Sequence, residues 1–152
     1  MPKLLPVKHI PQIIDVGCLA ACAQMVLQYL GVDISQTGLN HLFDLTPLGV
    51  PLSRMERLEK FDIQVTIHRQ GDLDDLLTAL NDNHPTILFV RTGELPYWGE
   101  DVQHALVLVG YEGEQVFLND PAFPNAPQKV LMTELMLAWD EFDSPYALLK
   151  KF

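Results

Sequence analysis

PQIIDVGCLAACAQMVLQYLG, residues 11–31, is an irregular entry followed by a helix. From Cys18 to Leu30 there is no Gly or Pro, apolar residues recur at helical spacing, and Gly31 is the residue type that ends helices in the left-handed conformation. Asp15 and Gly17 immediately upstream are turn and cap material, so Cys18 is expected at or near the helix N-terminus.

Outward from this helix the pattern changes character only once. The spacing predicts a short helix around Thr37–Phe43 and another from about Leu52 to Phe61, opened by Pro51 near its first turn. IQVTIH (63–68) alternates as a half-buried strand does, and Leu73–Leu80 after Asp72 reads as a helix with an acidic first turn. From Pro85 onward, TILFV (86–90), HALVLVG (104–110) and QVFLN (115–119) are short runs rich in β-branched and aromatic residues. The last two flank the turn-like Tyr111–Glu114 and predict an antiparallel hairpin. PAFPNAP (121–127) is turn-rich, and a helix Met132–Trp139 and an apolar strand YALLKKF (146–152) follow. Helices early and strands late give an α+β class, with N-terminal helices packed against a C-terminal antiparallel sheet and a cleft between the halves. At 152 residues, one domain over 1–152 is expected.

Composition excludes several functions. Twenty acidic residues against ten basic ones give a formal charge of −10 with no basic stripe, which argues against nucleic-acid binding. No apolar run reaches the roughly 18–20 residues of a membrane span, and prolines interrupt the opening MPKLLPVKHIPQ, so a soluble, cytoplasmic protein is expected. The two cysteines, Cys18 and Cys22, would stack on one helix face, a spacing that suits free thiols better than a structural disulfide. No CxxC or HxxxH pair is found and phosphate-binding loops are absent, so neither a metal nor a cofactor is expected.

The chemistry-bearing residues converge on Cys18. A thiol is a nucleophile as its thiolate, and a helix N-terminus with a nearby imidazolium favours that form. The same N-terminus favours the oxygen of a tetrahedral intermediate, to which the amide of Gln12 in the entering loop would add a donor. Cys22, one turn further in, reads as a small buried hydrophobe. Of five histidines, His9, His41, His68 and His84 lie in surface-like contexts, whereas His104 opens a strongly apolar strand after a polar loop. Asp120 ends the second strand of the same hairpin, and antiparallel pairing would bring it beside His104 to hold the imidazole's tautomer. Gly17 beside the nucleophile, and Tyr97 and Trp98 in the loop before His104, are expected to line the substrate cleft.

Nearly the whole chain resembles the C39 family of papain-like cysteine peptidases, known as the N-terminal domains of bacteriocin-processing ABC transporters. Gln12, Cys18, Ala21, Met25, Tyr29 and Gly31 fall where that family has its glutamine, nucleophile and first-helix residues. His104 and Asp120 in HALVLVGYEGEQVFLNDP fall on its histidine and aspartate, and ELMLAW (134–139) resembles its closing helix. Three positions differ: Gly17-Cys18-Leu19 stands where Asp-Cys-Gly is common, and Ala105 follows the histidine where an aromatic residue is frequent. The resemblance implies a cysteine peptidase that acts on a peptide or precursor protein, a leader peptide among the candidates, with association to an ABC transporter open. Two alternatives remain: an acyl or aminoacyl transferase using the same thioester, and a non-catalytic peptide-binding module.

Overall fold

The computed structural model describes residues 2–152. Helix α1 (Cys18–Tyr29) is enclosed on most of its circumference, with Leu19, Ala20, Ala21, Cys22, Ala23, Met25, Val26 and Leu27 all buried. The run of small side chains lets neighbouring elements close on it. Gly31 follows at φ +86°, the left-handed geometry the sequence predicts. Its N-cap is Gly17, which brings no side-chain cap, so the first-turn N–H groups are left free for another partner.

Helix α2 (Gln36–Leu42) starts where Ser35 accepts the Gly38 N–H at 3.0 Å. The helix expected over Leu52–Phe61 is a 3-10 helix. Its buried residues, Leu52, Met55 and Leu58, recur every third position, and side chains three apart eclipse one another in that geometry. Helix α3 (Leu73–Asn81) opens with a reciprocal Asp72–Asp75 capping box, and helix α4 is Met132–Asp140.

Seven antiparallel strands form one sheet: β1 (Lys3–Leu4), β2 (Ile63–His68), β3 (Thr86–Arg91), β4 (Gln103–Glu112), β5 (Gln115–Asn119), β6 (Gln128–Leu131) and β7 (Tyr146–Lys151). The path runs β2-β7-β3-β4-β5-β6, with β1 pairing the far end of β4. The α+β arrangement of helices and antiparallel sheet is therefore as the sequence predicts, apart from β1 and β6, which were not expected. From His104 to Gly110, β4 is buried on both faces, which explains its unbroken apolar run.

Two details of β4 fix the site. Val107 pairs with Asn119 across the β4–β5 hairpin, so Asp120 leaves β5 alongside the beginning of β4. A register shift between Leu108 and Gly110 then turns the strand where β1 crosses it. A Cβ on Gly110 would lie 2.3 Å from the Lys3 carbonyl oxygen, so only glycine permits that approach.

From β1 the chain follows the hairpin down to the site. Leu5 N–H donates to Val109 O at 2.8 Å, Asn119 Nδ2 to Val7 O at 2.9 Å, His9 Nε2 to Asp120 O at 2.8 Å and Gln12 N–H to Pro121 O at 2.9 Å. This strap ties the loop before Cys18 to the hairpin that carries His104 and Asp120.

Candidate active site

Cys18, His104 and Gln12 line one cleft of about 840 Å³. Cys18 is partly exposed at the first position of α1. The first backbone bond of that helix start runs from Ala21 N–H to Gly17 O at 3.2 Å, so the Cys18 N–H has no helical partner.

His104, paired opposite Val90 of β3, is only 6% exposed. Its Nε2 meets Asp120 Oδ1 at 2.6 Å, which leaves the other ring nitrogen for the thiol side. Burial works against a charged imidazole, but the Asp120 hydrogen bond, the Cys18 thiol and the charges of both outweigh it, and the His104 pKa is pushed up to about 9. Asp120 is wholly buried. Burial opposes its ionisation, yet the bond and charge of His104, the Ala122 N–H and Trp98 hold its carboxyl below the ordinary carboxylate range. The pair is thus arranged as imidazolium and carboxylate.

Cys22 lies beneath this site, fully buried. Burial, then the nearby Cys18 and Asp120, pushes its thiol well up, so it remains a neutral core residue.

The structure brings Cys18, His104 and Asp120 together, and it revises the surroundings. Gly17 does not line the cleft; it is buried where its N–H closes a turn onto Ile14 O at 3.0 Å. A Cβ there would stand 2.9 Å from Ile14 Cγ1 and 3.2 Å from Ile14 O, so the glycine serves the turn that delivers Cys18. Trp98 lines the cleft and Tyr97 does not. The Tyr97 hydroxyl donates to Asp120 Oδ2 at 2.8 Å, because the second oxygen of a buried carboxylate also needs donors.

Gln12 reaches the cleft wall with its amide engaged. Nε2 donates to Asp15 O at 2.8 Å and to Ile14 O at 3.2 Å, while Oε1 is buried without a partner. Its neighbours are pinned by Gln36 of α2, whose Oε1 accepts Ile13 N–H at 2.8 Å and whose Nε2 donates to Pro11 O at 2.9 Å. Neither Gln36 nor His9 was singled out in the sequence, and His9 is not a surface residue but half-buried on the Asp120 carbonyl. A glutamine in a short helix and a histidine near the chain start carry no local sign of such roles.

Among the described residues, no group of three or more His, Cys, Asp or Glu side chains is placed to hold a metal ion, and no helix is long and apolar enough to cross a membrane.

The model of the Peptidase_C39 like family matches residues 4–147. A candidate C39-like peptidase from Bacillus anthracis superposes with a TM-score of 0.79 at 18% identity, covering 99% of this chain and 98% of the other. The peptidase domain of Streptococcus ComA, a bi-functional ABC transporter of a quorum-sensing pathway, gives a TM-score of 0.77 at 20% identity, with 96% and 99% coverage. A double glycine motif protease from an AMS/PCAT transporter, in complex with its leader peptide, gives 0.75 at 19% identity, with 99% and 95% coverage. No curated protein matches the sequence significantly.

Proposed function

Since the chain belongs to the Peptidase_C39 like family, we propose that it is a cysteine peptidase in which Cys18 is the nucleophile, His104 the acid and base, and Asp120 the group that orients His104. The observation that carries the reading is the arrangement around His104. One ring nitrogen is held by a buried carboxylate, and the ring shares its cleft with a cysteine at a free helix N-terminus.

In this mechanism the Cys18 thiolate attacks the carbonyl carbon of a peptide bond and forms a C–S bond. The oxygen takes the negative charge, facing the free Cys18 N–H and the positive end of α1. His104 gives its proton to the leaving nitrogen as the C–N bond breaks. Water, deprotonated by His104, then attacks the thioester and releases Cys18. Asp120 stays ionised throughout and fixes which ring nitrogen carries its proton. Gln12 contributes to the oxyanion site once its amide turns from Asp15 O and Ile14 O, giving up two hydrogen bonds worth about 1 kcal/mol each.

The substrate class is a peptide or precursor protein. A leader peptide, and a transporter as partner, are suggested by the ComA and PCAT likenesses. The engaged amide of Gln12 favours one second reading, a module that holds a peptide in the same cleft without cleaving it.

Limiting iodoacetamide between pH 5 and 9, with mass-spectrometric assignment of the labelled cysteine, separates these readings. The peptidase reading expects Cys18 to alkylate rapidly at pH 6 and to lose that rate in His104→Ala. Slow alkylation at pH 6, indifferent to His104, leaves the binding module as the reading.

A further inference from the structure

Residues 91–103 make a pinned excursion between β3 and β4. Arg91 Nε meets Asp101 Oδ1 at 3.2 Å, Thr92 Oγ1 donates to Glu100 O at 2.6 Å and accepts Val102 N–H at 2.9 Å, and Trp98 N–H donates to Leu95 O at 3.2 Å. At its tip, two adjacent aromatic residues point donors at one atom. The Tyr97 hydroxyl lies 2.8 Å and Trp98 Nε1 2.9 Å from Asp120 Oδ2. Both rings pack edge-on against Phe123, at centroid distances of 5.1 and 5.0 Å, and Trp98 also packs edge-on against His104 at 4.9 Å.

The other oxygen, Oδ1, takes His104 Nε2 at 2.6 Å and Ala122 N–H at 2.9 Å. Asp120 therefore has four donors, which fills the acceptor capacity of a carboxylate. The last torsion of an aspartate side chain is broad and two-fold, so a single hydrogen-bonded oxygen does not fix its plane. Two donors on the second oxygen do.

We propose that Tyr97 and Trp98 are positioning residues, which by donating together to Asp120 Oδ2 hold the carboxylate so that Oδ1 meets His104 Nε2. Neither touches the reacting atoms through these donors. Trp98 also walls the cleft, so the same residue faces the substrate side and the carboxylate. The inference rests on the peptidase reading, because it assumes that the His104–Asp120 contact serves the thiolate.

A purely electrostatic role makes the opposite prediction. Donors on Oδ2 withdraw charge from Asp120, so their loss would strengthen its hold on an imidazolium. A merely structural role would lower the unfolding temperature and leave the pH profile in place. Only positioning weakens the His104–Asp120 contact when a donor is removed.

The experiment compares the pH dependence of Cys18 alkylation by iodoacetamide in wild type, His104→Ala, Tyr97→Phe and Trp98→Phe, with thermal unfolding measured on each. Tyr97→Phe removes one hydroxyl and keeps the ring on Phe123. Positioning predicts that its rate at pH 6 falls about tenfold toward that of His104→Ala and converges with wild type above pH 9. A Tyr97→Phe profile that overlays wild type, or a faster rate at pH 6, overturns the inference and leaves the peptidase reading standing. A wild-type rate at pH 6 no greater than that of His104→Ala overturns both. If Tyr97→Phe does not fold, Trp98→Phe reads the same oxygen through its other donor and is judged by the same outcomes.

Discussion

Replacing Asp120 by asparagine tests the central pair with the least change in shape. The amide oxygen takes the Oδ1 position, where His104 Nε2 and Ala122 N–H both donate. Its NH2 then falls at Oδ2, against the Tyr97 hydroxyl and Trp98 Nε1–H. Tyr97 can turn its hydroxyl and accept, but an indole N–H only donates, so Trp98 is left against a second donor. That buried orphan costs about 1–3 kcal/mol, and breaking a buried charge pair as a whole costs about 3–5 kcal/mol, so unfolding free energy should drop by about the latter. Without the carboxylate, burial is left to dominate at His104, and its pKa should fall from about 9 to its ordinary value near 6.5 or lower. At pH 7.5 the imidazolium would then fall from nearly complete to about a tenth or less. Denaturant unfolding gives the first quantity. A histidine-ring NMR titration, with His104 assigned by difference from His104→Ala, gives the second. A variant that still titrates near 9 and loses less than about 1 kcal/mol would refute the account of the pair.

Other perturbations address separate features. The His104 pKa is raised in the folded protein, so its contribution to stability is complete below about 6.5 and is lost as pH rises through about 9. Asp120, held low, contributes above the ordinary carboxylate range and loses that contribution as pH falls through its depressed value; urea midpoints across pH should decline at both ends. Gly110→Ala would drive a methyl into the Lys3 carbonyl, and a loss of about 1–3 kcal/mol with faster amide exchange in residues 3–7 is expected. Gln36→Ala frees Pro11 O and Ile13 N–H beside Gln12; peptidase turnover should fall while the pH dependence of Cys18 alkylation stays that of wild type.

The sequence made the scaffold readable wherever one element carried its own pattern. The α1 start at Cys18, the β4–β5 hairpin and the proximity of His104 to Asp120 each follow from local periodicity and a turn. What escaped depends on contacts distant in the chain. Lys3–Leu4 is too short to show alternation, and it becomes a strand because Gly110 lets it approach β4. Tyr97 and Trp98 lie in a loop whose composition suits a cleft wall, and only the folded position of Asp120 turns their donors inward. The direction of the Gln12 amide is likewise decided by carbonyls of its own turn, which residue type does not reveal.

The place of β7 has a consequence for the order in which the molecule is made. Although last in the chain, Tyr146–Lys151 lies between β2 and β3, pairing with both. During synthesis Cys18 and its helix emerge early, then wait for a hairpin some 90 residues later, and the sheet that braces the hairpin stays split until β7 arrives. A chain halted at residue 145 should therefore alkylate at Cys18 like any free thiol. The reactivity of Cys18 would then report whether β7 has closed the sheet.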